Sequence, residues 1–145
     1  MEEKNEYLIY LYHICEMGVA STKKMLDKLK KTDNKITRLV EDELDEYNKA
    51  LKEVKKLIDK NKIKEPKSGL IANMGVNMSM KMELSKDNSD SKIADMLIQG
   101  YTMGNLELNK KLKKYYDSIT PEEKEITDMI KEFQDKNINI LKDYL

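Results

Sequence analysis

Four segments of this chain repeat apolar residues at intervals of three or four positions, which is the period of an α-helix that buries one face. They run over about residues 5–30, 35–61, 91–115 and 121–145. Only five glycines and two prolines occur in 145 residues, and 37% of the residues are charged. This composition is typical of long solvated helices, and this length is typical of a single domain. We therefore predict an all-α protein with one domain over residues 1–145.

Helix boundaries are marked by side chains that accept hydrogen bonds from the free backbone amides of a helix start. The short polar run from Thr32 to Asn34 stands where the first apolar pattern stops. We predict that it caps the second helix, which then packs antiparallel to the first. The run from Thr120 to Glu123 combines a capping threonine, a proline and a capping-box glutamate, so the fourth helix is predicted to begin at Pro121.

The connection between the second and third segments is long. It covers residues 62–89, and Pro66 and Gly69 break the helical pattern there. A short methionine-rich helix is predicted over about residues 70–84; its methionines favour adaptable packing or an interaction surface over a thioether copper site. Antiparallel neighbours need only a short loop. The second and third helices are therefore predicted to run parallel, joined by this crossover.

The apolar spacing also predicts which residues of the later helices point inward. In the third segment the predicted buried face carries Ile93, Met96/Leu97, Gly100, Met103/Gly104, Leu108, Leu112 and Tyr115. Gly100 and Gly104 are predicted to mark a close approach between helices. The polar residues Glu43 and Asn137 fall on the apolar faces of the second and fourth segments, and we predict that both point inward.

One segment of the predicted third helix reads Ile93-Ala94-Asp95-Met96-Leu97-Ile98-Gln99-Gly100-Tyr101-Thr102-Met103-Gly104. It resembles a segment found in uncharacterised bundle proteins of low-GC Gram-positive bacteria. More widely, the chain resembles the ferritin-like four-helix bundles, with the long crossover and its short methionine-rich helix between the second and third helices. The resemblance implies a di-iron site with a glutamate from the first and third helices and Glu-x-x-His pairs from the other two. This chain has one histidine, His13, in His-x-x-Glu with Glu16, and neither Glu-x-x-His pair is present.

Four glutamates remain as candidate metal ligands. Glu16 and Glu107 are predicted to lie at one height in the bundle, because each is a similar distance from the turn of its own hairpin. Glu43 falls about 8 Å higher, and Glu46 lies nearer their level but less clearly inward. Two interpretations stay open. In the first, boundary residues or a polar layer that fixes helix register are formed by Glu16, Glu43, Glu107 and Asn137. In the second, the four glutamates form a degenerate carboxylate site for iron or another divalent metal.

Charge and cysteine content exclude several other classes of function. The formal net charge is +0, so no overall field draws the chain to nucleic acid. The apolar stretch after the first residues is too short to span a membrane, and those residues lack the basic start of a signal peptide. The single cysteine, Cys15, suits a reducing compartment. We therefore expect a cytoplasmic protein that does not bind nucleic acid and does not span a membrane.

The leading hypothesis for function is a non-enzymatic bundle, without a cofactor, that acts by protein association. Ile9, Tyr10, Ile14 and Met17 place apolar residues beyond the buried face of the first helix. A helix that is apolar over much of its circumference is usually buried on more than one side. We therefore predict a homodimer through the first helix or an unknown protein partner. The alternative is a metal-handling or redox bundle that uses the four glutamates.

Overall fold

The part of the protein that the structure describes is all-α and contains four α-helices. The computed structural model describes residues 2–64, 66 and 87–145, and no strand occurs within them. The predicted methionine-rich helix at 70–84 lies outside these residues. The helices are α1 (Glu2–Leu29), α2 (Thr37–Lys60), α3 (Asp90–Lys114) and α4 (Pro121–Leu141), followed by a short 3-10 helix (Lys142–Tyr144).

Hydrogen bonds between the helix ends define the helix directions. At one end of the bundle, the Asp90 carboxylate accepts hydrogen bonds from the backbone amides of Lys35 and Ile36, at 3.2 and 3.3 Å. The start of α3 therefore lies beside the start of α2. At the other end, the Tyr115 hydroxyl donates to the Glu6 carboxylate at 2.7 Å. This bond brings the end of α3 to the start of α1, so α2 and α3 run in the same direction.

The core is built from one face of each helix. Its fully buried apolar side chains include Leu11, Met25, Val40, Ile58, Ile93, Leu108, Ile130 and Leu141. A side chain of this size contributes roughly 1.5–3 kcal/mol when it leaves water. The apolar spacing thus predicted the inward positions of Glu43 and Asn137.

The predicted buried face of α3 is wrong in part. Gly100 is exposed and Met103 is 59% exposed, whereas Ala94 and Tyr101 are buried. Apolar residues occur around most of this helix, so its spacing is compatible with more than one inner face. The structure buries the face on which Ala94, Tyr101 and Leu108 repeat every seven residues. Gly104 does mark a close approach, since a Cβ there would lie 3.3 Å from the Gln134 side chain of α4, but Gly100 does not.

The helix starts are capped in two different ways. The Thr120 hydroxyl and the Glu123 carboxylate form the predicted capping box at the start of α4. The prediction that residues 32–34 cap α2 is wrong, because Thr32 instead donates to the carbonyl of Leu29 at the end of α1. The amides before α2 are bound by Asp90, which is distant in sequence and adjacent in space.

Candidate functional site

The side chain of Glu43 lies in the middle of the bundle with no exposed surface. It is one turn from Leu39 and from Tyr47 on the inner face of α2, so the helical period that buries its neighbours also buries Glu43. Among the described residues, neither carboxylate oxygen has a partner in hydrogen-bond geometry. Burial raises the pKa of Glu43 to about 7, and the nearby Tyr101 hydroxyl partly opposes this rise.

The hydroxyl of Tyr101 on α3 lies close to this carboxyl, and Asn137 of α4 lies close to Tyr101. Tyr47 also lies close to Glu43, and Cys15 of α1 lies close to Tyr47. We call these five residues the polar layer. The Tyr101 hydroxyl of α3 is also buried, and among the described residues it too lacks a partner in hydrogen-bond geometry. Burial raises the pKa of Tyr101, and the charge of Glu43 adds to the rise, while Asn137 of α4 opposes it. Burial also raises the pKa of Cys15 on α1 to about 12, which keeps it a thiol at neutral pH. The layer is therefore uncharged when Glu43 holds a proton.

A chain of hydrogen bonds leads from this layer to the surface. The Tyr47 hydroxyl donates to the Gln134 side chain at 3.0 Å, and the Gln134 amide donates to Asn105 at 2.5 Å. Asn105 then donates to the exposed Asp135 carboxylate at 2.8 Å. Sequence reasoning missed this network. Its links join residues that are 87, 29 and 30 positions apart, so no local sequence pattern indicates it.

The Tyr47 ring is held in place by close contacts. It packs edge-on against Phe133 with ring centroids 4.9 Å apart. A Cβ atom at Gly18 of α1 would lie only 2.5 Å from the ring. Glycine is therefore required at this position for α1 to approach α2 so closely.

A groove of about 480 Å³ lies between α2 and α4. Its walls carry both acidic and basic side chains, and Asn137 and Phe133 belong to its lining. The residues that line it are Leu39, Asp42, Asp45, Glu46, Lys49, Met129, Glu132, Phe133, Lys136, Asn137 and Ile140. Glu46 already pairs with Lys49 at 3.6 Å, so part of its negative charge is compensated within the chain.

The four predicted metal ligands occupy different environments. Glu43 is fully buried, whereas Glu16 and Glu46 are half-buried. Glu107 is exposed and pairs with Lys110 at 3.4 Å. Within the described part of the chain, no three histidine, cysteine, aspartate or glutamate side chains come together in a group that could hold a metal ion. The four-glutamate site stays a prediction, and Glu43 is its one fully buried member.

The outer face of α3 exposes apolar side chains. Met103 and Leu106 are 59% and 49% exposed, and Met96 is half-buried on the same side. A Cβ atom built at Gly100 would meet none of the described residues within 4 Å. We use the name α3 outer face for Met96, Gly100, Met103 and Leu106. Positions 96, 100, 103 and 106 follow the helical period, so they form one continuous strip.

The predicted interface on α1 is partly covered. Ile9, Tyr10 and Ile14 are half-buried, and Lys111 of α3 lies 5.4 Å above the Tyr10 ring. Met17, at 38%, is more exposed than these three. The most exposed apolar side chains of the helices therefore lie on α3 rather than on α1.

Comparison of the chain with protein-family models, with curated proteins and with solved structures gives no match. Among the described helices, none is both long enough and apolar enough to cross a membrane.

Proposed function

We propose that this protein acts by protein association, through the α3 outer face, rather than by catalysis. The observation that carries the proposal is the exposure of Met103 and Leu106, at 59% and 49%. Burial of apolar surface gives roughly 25 cal/mol for each Å² that leaves water. A strip of such residues on one helix face is the kind of surface that a partner covers.

Gly100 gives a second reason. Glycine in the middle of a helix is less stable than alanine by roughly 0.5–1 kcal/mol. Among the described residues, nothing lies where a Cβ atom of Gly100 would point, so internal packing does not require glycine there. Close approach of a second molecule to the α3 backbone does require a small residue.

The same proposal assigns the bundle to the ferritin-like class and its action to the cytoplasm. The parallel run of α2 and α3 supports the class, because two hairpins joined by one long crossover have this arrangement. The single cysteine, Cys15, is buried and free, which supports a reducing compartment. The class implies no activity for this chain.

Site-specific photo-crosslinking in cells that express the protein natively tests the association. A photoreactive amino acid replaces Met103 on the α3 outer face. The matched control carries it at Lys52, which is exposed on α2. We expect a discrete covalent adduct from position 103 and none from position 52. Absence of an adduct at position 103, in a chain that keeps its helical circular dichroism, would refute the proposal.

A second candidate function is metal handling by a carboxylate site. The observation that favours it is the fully buried carboxyl of Glu43, which lacks a hydrogen-bond partner among the described residues. Buried polar groups of this kind often bind an ion or an ordered water. Elemental analysis of protein purified without chelator, followed by aerobic iron titration, tests it. Metal that is bound by the unchanged chain and lost in Glu43→Gln supports the site, and metal-free protein that takes up no iron refutes it.

A further inference from the structure

We infer that the partner of the α3 outer face is a second copy of this chain, bound antiparallel about a two-fold axis next to Gly100. This inference rests on the proposed association. It names the occupant of the surface and the residues that meet across it.

The pattern of the face is self-complementary in the antiparallel direction. Lys92, Met96, Gly100, Met103 and Glu107 follow the helical period and share one side of α3. From start to end, this side presents a cation, a methionine, a glycine, a methionine and an anion. An axis between positions 99 and 100 places Lys92 opposite Glu107 of the second copy and Met96 opposite its Met103. Both pairs then occur twice in the dimer.

Charge selects this orientation over the parallel one. In a parallel pair, Lys92 faces Lys92 and Glu107 faces Glu107, and like charges across an interface oppose association. In the antiparallel pair, both charges meet a charge of opposite sign. A two-fold axis allows the antiparallel arrangement with the same surface on both copies.

Both charged side chains have partners within their own chain. Glu107 pairs with Lys110, with 49% of the Glu107 side chain exposed, and Lys92 lies near the exposed carboxylate of Asp87. Exposed pairs of this kind contribute little to stability because water screens them. They can therefore be exchanged for contacts across the dimer with little loss.

The α3 helices of the two copies approach each other most closely at Gly100. The position next to the axis is where the two helix backbones come nearest, and no atom of the described part of the chain lies within 4 Å of a Cβ built on Gly100. The methionines on either side have flexible thioether side chains that adapt to a facing surface. The apolar contact thus lies at the centre of the interface, and the charged pairs lie at its rim.

Charge exchange tests the register. Sedimentation velocity over a concentration series should show a reversible dimer of the full chain. Lys92→Glu places two anions opposite each other, and Glu107→Lys places two cations opposite each other. Each single change should raise the dimer dissociation constant at least about tenfold. The double variant restores opposite charges and should regain the dimer, while Lys52→Glu, on the exposed side of α2, should leave the constant unchanged. Circular dichroism checks that each variant is folded.

The outcomes separate this inference from the proposed function. A chain that stays monomeric to high micromolar concentration, or a double variant as weak as the single ones, overturns the antiparallel dimer. If the photo-adduct at position 103 then contains another protein, the association proposal stands and the second copy is the wrong partner. If position 103 gives no adduct, both are wrong.

Discussion

Replacement of Glu43 by glutamine should change how the stability of the bundle depends on pH. The side chain has no exposed surface, and burial raises its pKa from an ordinary value of 4.5 to about 7. In the unfolded chain this carboxyl is in water and ionises near the ordinary value. Between these two pKa values, the folded chain therefore holds a proton that the unfolded chain has lost.

The sign and size of the effect follow from proton linkage. Because the folded state binds more protons, the free energy of unfolding of the unchanged chain falls as the pH rises through this range. A difference of about 2.5 pH units, at about 1.4 kcal/mol per unit, gives a loss of roughly 3 kcal/mol. The contribution is fully present below pH 4.5 and has been lost once the pH passes about 7. Glutamine carries no charge, so Glu43→Gln removes the loss.

Urea denaturation followed by circular dichroism, at several pH values from about 4.5 to about 8.5, measures the difference between the variant and the unchanged chain. We expect Glu43→Gln to be about equally stable at the lowest pH and roughly 3 kcal/mol more stable above neutrality. Glu123, whose pKa is also raised by burial, is present in both chains and cancels. Glu46→Gln is the matched control, because its side chain reaches solvent. A difference for Glu43→Gln below about 1 kcal/mol at every pH would refute the reasoning.

Four further predictions concern packing and capping. Urea denaturation, at concentrations that keep the chain monomeric, measures the free energy of unfolding for each. Gly18→Ala should lower the free energy of unfolding by about 1–3 kcal/mol, because its Cβ would lie 2.5 Å from the Tyr47 ring. Gly100→Ala should raise the free energy of unfolding by about 0.5–1 kcal/mol, because none of the described residues lies within 4 Å of the new Cβ. Equal free energies of unfolding for the two variants would contradict this account. Asp90→Ala should lower the free energy of unfolding by about 1–2 kcal/mol, because three donors before α2 lose their acceptor. An unchanged free energy of unfolding would show that water replaces the Asp90 carboxylate. Thr120→Ala should lower the free energy of unfolding by about 1 kcal/mol, because the capping box is lost. An unchanged free energy of unfolding would exclude the cap as a source of stability.

Sequence periodicity was sufficient to place the buried carboxyl. The second segment has one apolar face, so the position of Glu43 between Val40 and Tyr47 allows a single orientation. The same reasoning placed Asn137 correctly inside α4. Both predictions depend on a helix whose apolar and polar sides are clearly separated.

Other parts of the site could not be predicted from local sequence. Apolar residues lie around most of α3, so the spacing gave no reason to bury Tyr101 rather than Met103. That choice is made by packing against α4, where Gly104 allows the Gln134 side chain to approach. The role of Asp90 depends on a contact between the two hairpins, and nothing near Ile36 in sequence indicates it.

The position of Asp90 also has a consequence for the order of folding. Its carboxylate binds the amide of Lys35, 55 positions earlier in the chain, and the N-cap residue Ile36 makes no capping hydrogen bond with its own side chain. The amides of Lys35 and Ile36, just before α2, therefore gain this acceptor only when the second hairpin docks onto the first. Helix formation at this end is cooperative with assembly of the two halves. Slow hydrogen exchange at the amides of Lys35 and Ile36 thus reports the docked fraction rather than local fraying of the helix.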